Sequence, residues 1–225
     1  YIFISSKNTN LLGNTIEKIA FEKAGIIKNN VPVVTAASGA ALEVIKKISK
    51  ERGAPLDVAK KFENVEFKNL NGMFQQQNKN IALTATGILR KDYEIKIKEK
   101  QVIDGIKKTQ WTGRLQFISK SILVDCAHNP SGFGTLKNEL KIIKRQKNIK
   151  NFVFVVGIQN DKDIRIMLEI INPLVSKIIF TKSKNEKAEN PENLLKHFNH
   201  INKNKRIKTK IIINTKQALN YAKKI

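Results

Sequence analysis

The second half of this 225-residue chain repeats one pattern, in which a short, continuously apolar run is followed by a stretch with helical periodicity. The apolar runs lie at residues 122–125, 152–156, 178–180 and 211–213. The helix-like stretches lie at residues 134–147, 162–171, 191–200 and 216–224. A strand that is apolar throughout needs cover on both faces, and crossover helices supply it in parallel sheets. The pattern therefore predicts an α/β domain with a mostly parallel sheet.

The first half predicts shorter elements. Residues 15–24 have the apolar spacing of a helix, with Asn14 as the N-cap, Glu17 three residues later and Gly25 as the C-terminal stop. We expect further strands at residues 1–5 and 31–35, a turn at 55–57, alternating stretches at 62–67, and helices at 40–52, 80–89 and 95–106.

Composition narrows the class of protein. No run of 18 apolar residues is present, so no transmembrane helix is predicted, and residues 1–7 lack the layout of a signal peptide. The chain opens on an apolar run without an initiator Met, which indicates a chain that begins partway through a fold. The single cysteine, Cys126, excludes an internal disulfide and suits a reducing cytosol.

The net charge of +23 first suggests a nucleic-acid-binding protein. Such proteins cluster their basic residues on one face and interleave aromatic residues for stacking. Here the lysines are scattered along the chain and occur beside Asn and Ile, as in residues 144–151. Compositional drift in an AT-rich genome explains this charge more simply, so no specific nucleic-acid partner is predicted.

Four separated stretches carry a family resemblance. Residues 12–28 read LGNTIEKIAFEKAGIIK and resemble the block LG-x-T-x-E-x-IA-x-EKAGI-x-K of folylpolyglutamate synthases. Residues 111–116, WTGRLQ, are similar to WPGRLQ, and residues 125–130, DCAHNP, are similar to DGAHNP. The pair Gln77-Asn78 with Ala82 and Ala85 resembles the helix that follows the ATP site. The chain thus resembles folylpolyglutamate and dihydrofolate synthases, in the Mur ligase superfamily.

The resemblance implies a fold and a reaction. Residues 1–107 would be the rear half of the central ATPase domain, and residues 108–225 a Rossmann-like C-terminal ligase domain without its last strand. The reaction would join L-glutamate to a folate through an acyl phosphate made from ATP. Mg²⁺ and basic groups would gather the mutually repelling carboxylate and phosphates. We also expect a cytoplasmic monomer; the alternative is a chain completed by a separate N-terminal half.

Lys23 matches the family lysine that carbon dioxide carbamylates. The product presents anionic oxygens, the ligand type that Mg²⁺ prefers. The alternative is that a lysine in a last helical turn only complements the helix dipole. The resemblance also places Asn8 where a magnesium-binding histidine is expected, and the neighbouring Lys7 adds a repelling charge.

The resemblance assigns the ATP contacts to three residues. Asn78 would bind adenine, Arg114 a phosphate and Asp125 the ribose hydroxyls, while His128 would line the nucleotide and glutamate pocket. The alternatives are a helix cap for Asn78, a solvated side chain for Arg114, a loop cap for Asp125 and ordinary turn chemistry for His128.

Departures from the family pattern leave the function open. No G-x-x-x-x-G-K-[ST] motif occurs in the 225 residues. In the family that loop, the magnesium-binding glutamate and most of the folate pocket lie upstream of the matched part, so the choice between dihydropteroate and a reduced folate stays open. We therefore expect a chain shortened at both ends and inactive by itself. The rival hypotheses are a degenerate remnant without activity and, less favoured, a basic nucleic-acid-binding protein.

Overall fold

The computed structural model describes residues 15–62, 67–68, 70–203 and 206–225. The predicted strand at residues 1–5, the N-cap Asn14, the metal residue Asn8 and most of the stretch at 62–67 lie outside the described residues. The chain forms two compact units, residues 1–126 and residues 127–225. The predicted domain division at residues 107/108 stays a prediction.

The described part of the first unit starts with a small α/β arrangement. Helix α1 (Ile16–Ala24), strand β1 (Val33–Thr35), helix α2 (Gly39–Glu51) and strand β2 (Leu56–Val58) follow one another, and the two strands are parallel. Each of the two helices buries one apolar face, as the spacing of its apolar residues predicts. A buried cluster results, made of Ala24, Ile27, Ile45, Ile48 and Ala54.

Two details of this region differ from the sequence prediction. The N-cap of α1 is Thr15, whose hydroxyl accepts from the backbone N–H of Lys18 at 3.2 Å. The turn predicted at residues 55–57 is wrong, because Leu56 pairs with Val33 as the first residue of β2. The chain reverses earlier, at Gly53, whose φ of +60° suits glycine.

The first unit continues with helix α3 (Phe74–Asp92), helix α4 (Glu99–Lys108), and strands β3 (Gln116–Ser119) and β4 (Ile122–Val124). Strands β3 and β4 form an antiparallel pair. The expectation that residues 122–125 join the parallel sheet is therefore wrong. Only two residues separate β3 from β4, a length that permits a hairpin but no parallel crossover.

The second unit contains the parallel sheet. Its elements are helix α5 (Pro130–Gln146), strand β5 (Phe152–Val156), helix α6 (Ile164–Ile171), strand β6 (Val175–Lys182), helix α7 (Pro191–Ile201), strand β7 (Lys208–Asn214) and helix α8 (Thr215–Ala222). The strand order is β5-β6-β7 and both pairings are parallel, so the predicted α/β class is confirmed. The core includes Met167, Leu168, Phe180, Leu194 and Phe198, all fully buried.

No helix in the described part of the chain is long and apolar enough to cross a membrane.

Arg52 joins the end of α2 to the end of α1. Its guanidinium Nη1 donates to the carbonyl oxygen of Gly25 at 2.9 Å and also to that of Ile27. These carbonyls follow the last turn of α1, where helical partners run out. One charged donor therefore satisfies two backbone acceptors across 25 or more residues of sequence.

We expect Arg52→Met to lower the free energy of unfolding by about 1.5–3 kcal/mol, the range for hydrogen bonds to a charged group. Urea unfolding followed by circular dichroism measures it. Arg165→Met is the matched control, because Arg165 makes only an exposed i,i+4 pair with Glu169, worth roughly 0.3–0.5 kcal/mol. Equal losses in the two variants would contradict a structural role for Arg52.

Candidate active site

The loop before β3 has an unusual backbone on both sides of Arg114. Gly113 has a φ of +75° and Leu115 a φ of +44°, so both are left-handed. For a branched residue such as Leu115 this conformation costs roughly 1–2 kcal/mol. The Leu115 side chain is buried, whereas Arg114 is exposed. The loop thus anchors Leu115 in the protein and presents Arg114 to solvent.

Asp125 and Cys126, which follow β4, hold this loop in place. The Asp125 carboxylate oxygen Oδ2 accepts from the backbone N–H of Leu115 at 2.9 Å. The backbone N–H of Cys126 donates to the carbonyl oxygen of Gly113 at 2.8 Å. A hydrogen bond from the N–H of Gly113 to Gln116 Oε1, at 2.9 Å, closes the loop. Asp125 is therefore hydrogen-bonded to the residue that directly follows Arg114 in the chain.

The loop before α3 contacts Leu115 from the other side. The Asn71 amide Nδ2 donates to the carbonyl oxygen of Leu115 at 3.1 Å. Gly72 has a φ of +104°, and a Cβ at this position would lie 3.3 Å from Leu115 Cδ2 and 2.5 Å from the Phe74 ring. Only glycine allows this approach without displacement. Leu115 therefore links β4 to the start of α3.

Asn78 lies one turn into α3. Its Nδ2 donates to Oε1 of the buried Gln75 at 2.8 Å. The helix cap position is Met73, so the alternative role of Asn78 as a helix cap is wrong. The neighbouring Gln77 reaches the carbonyl oxygen of Ala36, just after β1, at 3.0 Å. This face of α3 is thereby tied to the carboxyl end of β1, the edge where parallel sheets bind ligands.

The three residues predicted to contact ATP belong to one connected part of the first unit. Asp125 binds Leu115, Leu115 follows Arg114 directly, and Asn71 connects Leu115 to the helix that carries Asn78. The sequence prediction missed Asn71 and Leu115. The Asn71-Gly72 pair is a turn signal that could have marked this loop, but a left-handed leucine has no such signature.

His128 belongs to the second unit, where it precedes helix α5. It is exposed, and the next residue, Asn129, is the N-cap, whose Oδ1 accepts from the N–H of Gly132 at 2.7 Å. Pro130 occupies the first helical turn, where its missing N–H costs nothing. The Asn-Pro pair thus explains why the chain starts a helix directly after His128.

Two loops at the carboxyl edge of the parallel sheet in the second unit are joined. The N–H of Asn160 donates to the carbonyl oxygen of Lys187 at 2.8 Å, and the N–H of Glu189 donates to that of Ile158 at 2.8 Å. The hydrogen bond from the Lys162 ammonium lowers the pKa of the exposed Asp161. Hydrogen bonds from the Asn193 side chain and then the Asn190 N–H lower the pKa of Glu189. Both carboxylates are charged at neutral pH.

The remaining predicted residues do not form a metal site by themselves. Lys23 lies in the last turn of α1 and is partly buried, whereas Asn8 is outside the described residues. Within the described ranges, no three His, Cys, Asp or Glu side chains form a group that could hold a metal ion. A carbamate on Lys23 would add oxygen ligands from a single residue, so these residues alone do not fit Mg²⁺.

Comparison with known proteins identifies the family. Residues 113–225 match the family described as Mur ligase, glutamate ligase domain. The chain belongs to the Mur ligase family. This Mur ligase chain is 31% identical over 203 residues to the dihydrofolate synthase/folylpolyglutamate synthase of Bacillus subtilis, covering 79% of this chain and 46% of that protein. The predicted resemblance to the folate branch is thus confirmed.

Solved structures show the same fold. The Mycobacterium tuberculosis folylpolyglutamate synthase complexed with ADP has a TM-score of 0.79 at 21% identity, over 98% of this chain and 54% of that one. The bifunctional folylpolyglutamate synthase/dihydrofolate synthase of Yersinia pestis, complexed with AMPPNP and Mn, has a TM-score of 0.74 at 21% identity over the same shares. The Mur ligase chain spans about half the length of the relatives it matches.

We expect Gly113→Ala to lower the free energy of unfolding by about 1–3 kcal/mol, since a side chain would enter a left-handed position. The new Cβ would also lie 2.5 Å from Cys126 Sγ. Adding Cys126→Ala should recover the steric part of the loss and leave the conformational part. Urea unfolding of both single variants and the double variant measures the two parts.

Gly87→Ala is the control for this cycle. Gly87 lies inside α3 with open space around the position of a Cβ, so alanine there should stabilise by about 0.5–1 kcal/mol. A Gly113→Ala variant as stable as the unsubstituted chain would show that the loop around Arg114 is not held as described.

Proposed function

We propose that this chain supplies the nucleotide-contacting rear part of an ATP-dependent ligase that adds L-glutamate to a folate. The observation that carries the proposal is the hydrogen bond from the N–H of Leu115 to Asp125, which ties a carboxylate to the residue directly after an exposed arginine. The match to the glutamate ligase domain and the folate relatives support the substrate class. The proposal includes a cytoplasmic, monomeric enzyme and leaves dihydropteroate and reduced folate as alternative acceptors.

The residues fit a nucleotide. Arg114 is a planar, permanently charged fork that pairs with phosphate oxygens, and it is exposed to solvent. The Asp125 carboxylate, with Oδ2 held by the N–H of Leu115, would accept from ribose hydroxyls. Asn78, oriented by Gln75, would bind the adenine edge through its amide. ATP would supply the phosphoryl group that activates the folate carboxylate.

His128 and Lys23 complete the proposal. His128 would contact the nucleotide or the glutamate, because it precedes a helix start, where backbone N–H groups favour anions. Lys23 would act as a carbamate, with Asn8 as a weak replacement for a histidine ligand. The described residues by themselves do not supply the set of oxygen ligands that Mg²⁺ needs.

A second candidate is a non-catalytic remnant of the same ligase. The observation that favours it is the sequence Lys7-Asn8-Thr9 in place of the DHT of the resembled family. A lysine there brings positive charge to a place where the family holds a cation. The two candidates share a fold and differ in turnover.

We expect the chain to bind ADP, and Arg114→Ala to weaken that binding about tenfold by removing a charge-assisted contact to phosphate. Isothermal titration calorimetry at low and high salt measures it, and added salt should weaken binding to the unsubstituted chain more than to the variant. Arg90→Ala is the matched control, since Arg90 is an exposed arginine at the end of α3. Equal effects of the two substitutions would contradict the phosphate role of Arg114.

We expect the chain by itself to form no ADP from ATP, glutamate and folate, because its 225 residues contain no P-loop to position the phosphates. Fusion to the preceding half of the Bacillus subtilis relative would supply that loop. A remnant predicts turnover in the fusion only after Lys7→Asp and Asn8→His, which restore the family residues, whereas a working ligase part predicts turnover without them. A coupled assay for ADP measures turnover, and equal activity with and without these substitutions would remove the support for a remnant.

A further inference from the structure

We infer that Asn71 is a positioning residue, which orients Arg114 towards the phosphates of the nucleotide by holding the backbone of Leu115. The inference rests on the proposed function and adds a residue to it. Asn71 lies three residues before α3 and outside the stretches that carry the family resemblance. Its contribution comes from one hydrogen bond, to the carbonyl oxygen of Leu115 at 3.1 Å.

Leu115 needs such a contact because its conformation is unfavourable. A leucine with a φ of +44° returns to the right-handed or extended region unless its surroundings prevent it. Two side chains hold the backbone of Leu115, one on each side of its Cα atom. Asp125 Oδ2 binds the N–H of Leu115, and Asn71 Nδ2 binds its carbonyl oxygen. Losing either bond leaves the conformation held from one end only.

The orientation of Arg114 depends on the same conformation. Arg114 lies between two left-handed residues, so a change in φ at Leu115 turns the peptide that follows the Cα atom of Arg114. The Leu115 side chain stays buried against Gly72 and the start of α3. A relaxed backbone would therefore be accommodated on the exposed side of the loop, where Arg114 lies.

An asparagine suits this role for a chemical reason. A carbonyl oxygen needs a donor, and the amide Nδ2 of Asn71 provides one without adding charge. Aspartate has the same shape but only acceptor oxygens when it is ionised, so it would repel the carbonyl oxygen of Leu115. Leucine has a similar volume and no polar group. The two substitutions therefore separate shape from hydrogen bonding.

The bond also couples the two ends of the nucleotide site. Asn71 belongs to the turn that starts α3, and α3 carries Asn78, the proposed adenine contact. Removing the bond should disturb the phosphate contact of Arg114 and leave the adenine contact of Asn78 in place. ADP and adenosine should therefore respond differently, because adenosine has no phosphate.

The experiment compares the full chain with its Asn71→Leu and Asn71→Asp variants. Binding of ADP and of adenosine is measured by titration calorimetry, and exchange of the Leu115 amide proton by NMR without ligand. We expect Asn71→Leu to weaken ADP binding about fivefold to tenfold, as for loss of one hydrogen bond, and to leave adenosine binding unchanged. Asn71→Asp should weaken ADP binding further, and both variants should speed exchange at Leu115.

Two controls separate positioning from a general loss of structure. Asn202→Leu removes a bond of the same kind in the second unit, from Asn202 Nδ2 to the carbonyl oxygen of Ile207 at 3.0 Å. It also removes the longer bond that Asn202 Oδ1 accepts from the N–H of Ile207 at 3.4 Å. It should not change ADP binding. In an Arg114→Ala background, Asn71→Leu should cause no additional loss, because Asn71 acts through Arg114.

The outcomes distinguish the inference from the proposed function. If the chain binds no ADP, or if Arg114→Ala leaves the affinity for ADP unchanged, both the proposed function and this inference are overturned. ADP binding that depends on Arg114 and is unchanged by both Asn71 variants overturns the inference alone. Equal losses for ADP and adenosine, or additive losses with Arg114→Ala, also overturn it, since they indicate a general structural effect.

Discussion

The hydrogen bond from the N–H of Leu115 to the Asp125 carboxylate is the interaction on which the candidate site depends. It holds Leu115 in a left-handed conformation that costs roughly 1–2 kcal/mol. Without this bond, the loop would relax to a more favourable backbone conformation. One net hydrogen bond contributes about 1 kcal/mol, so this bond and the one from Asn71 together offset the strain. An exposed arginine with a defined backbone is the result.

This arrangement gives Asp125 two roles. As a loop-capping residue it satisfies a backbone donor, which was the alternative to its binding role. As the proposed ribose contact it would use the same carboxylate, so the two roles are compatible: an acid oriented by the backbone is preorganised for a ligand. In the second unit, the loops after β5 and β6 at the carboxyl edge of the sheet are likewise joined by backbone hydrogen bonds.

The composition of the chain had less influence on the structure than its net charge suggests. Basic residues occupy exposed positions, such as Lys196 and Lys208, while the core of the second unit is aliphatic and aromatic. Lys79, buried in α3, is an exception. Replacing exposed residues by lysine leaves the apolar periodicity intact, and that periodicity drives burial. Drift in composition is therefore consistent with an unchanged fold.

The sequence by itself determined the helices and the parallel strands other than β2, because apolar periodicity and cap residues act within a few residues of the chain. It also determined the family and the residues that carry the resemblance, Lys23, Asn78, Arg114, Asp125 and His128. Periodicity could not show that residues 122–124 pair antiparallel with β3, since an apolar run fits either kind of pairing. Only the tertiary structure decided that Asn71 and Asp125 meet at Leu115, 44 and 10 residues away in the chain. Local propensity cannot predict the left-handed conformation of Leu115, because hydrogen bonds from distant residues hold it in a conformation that leucine disfavours.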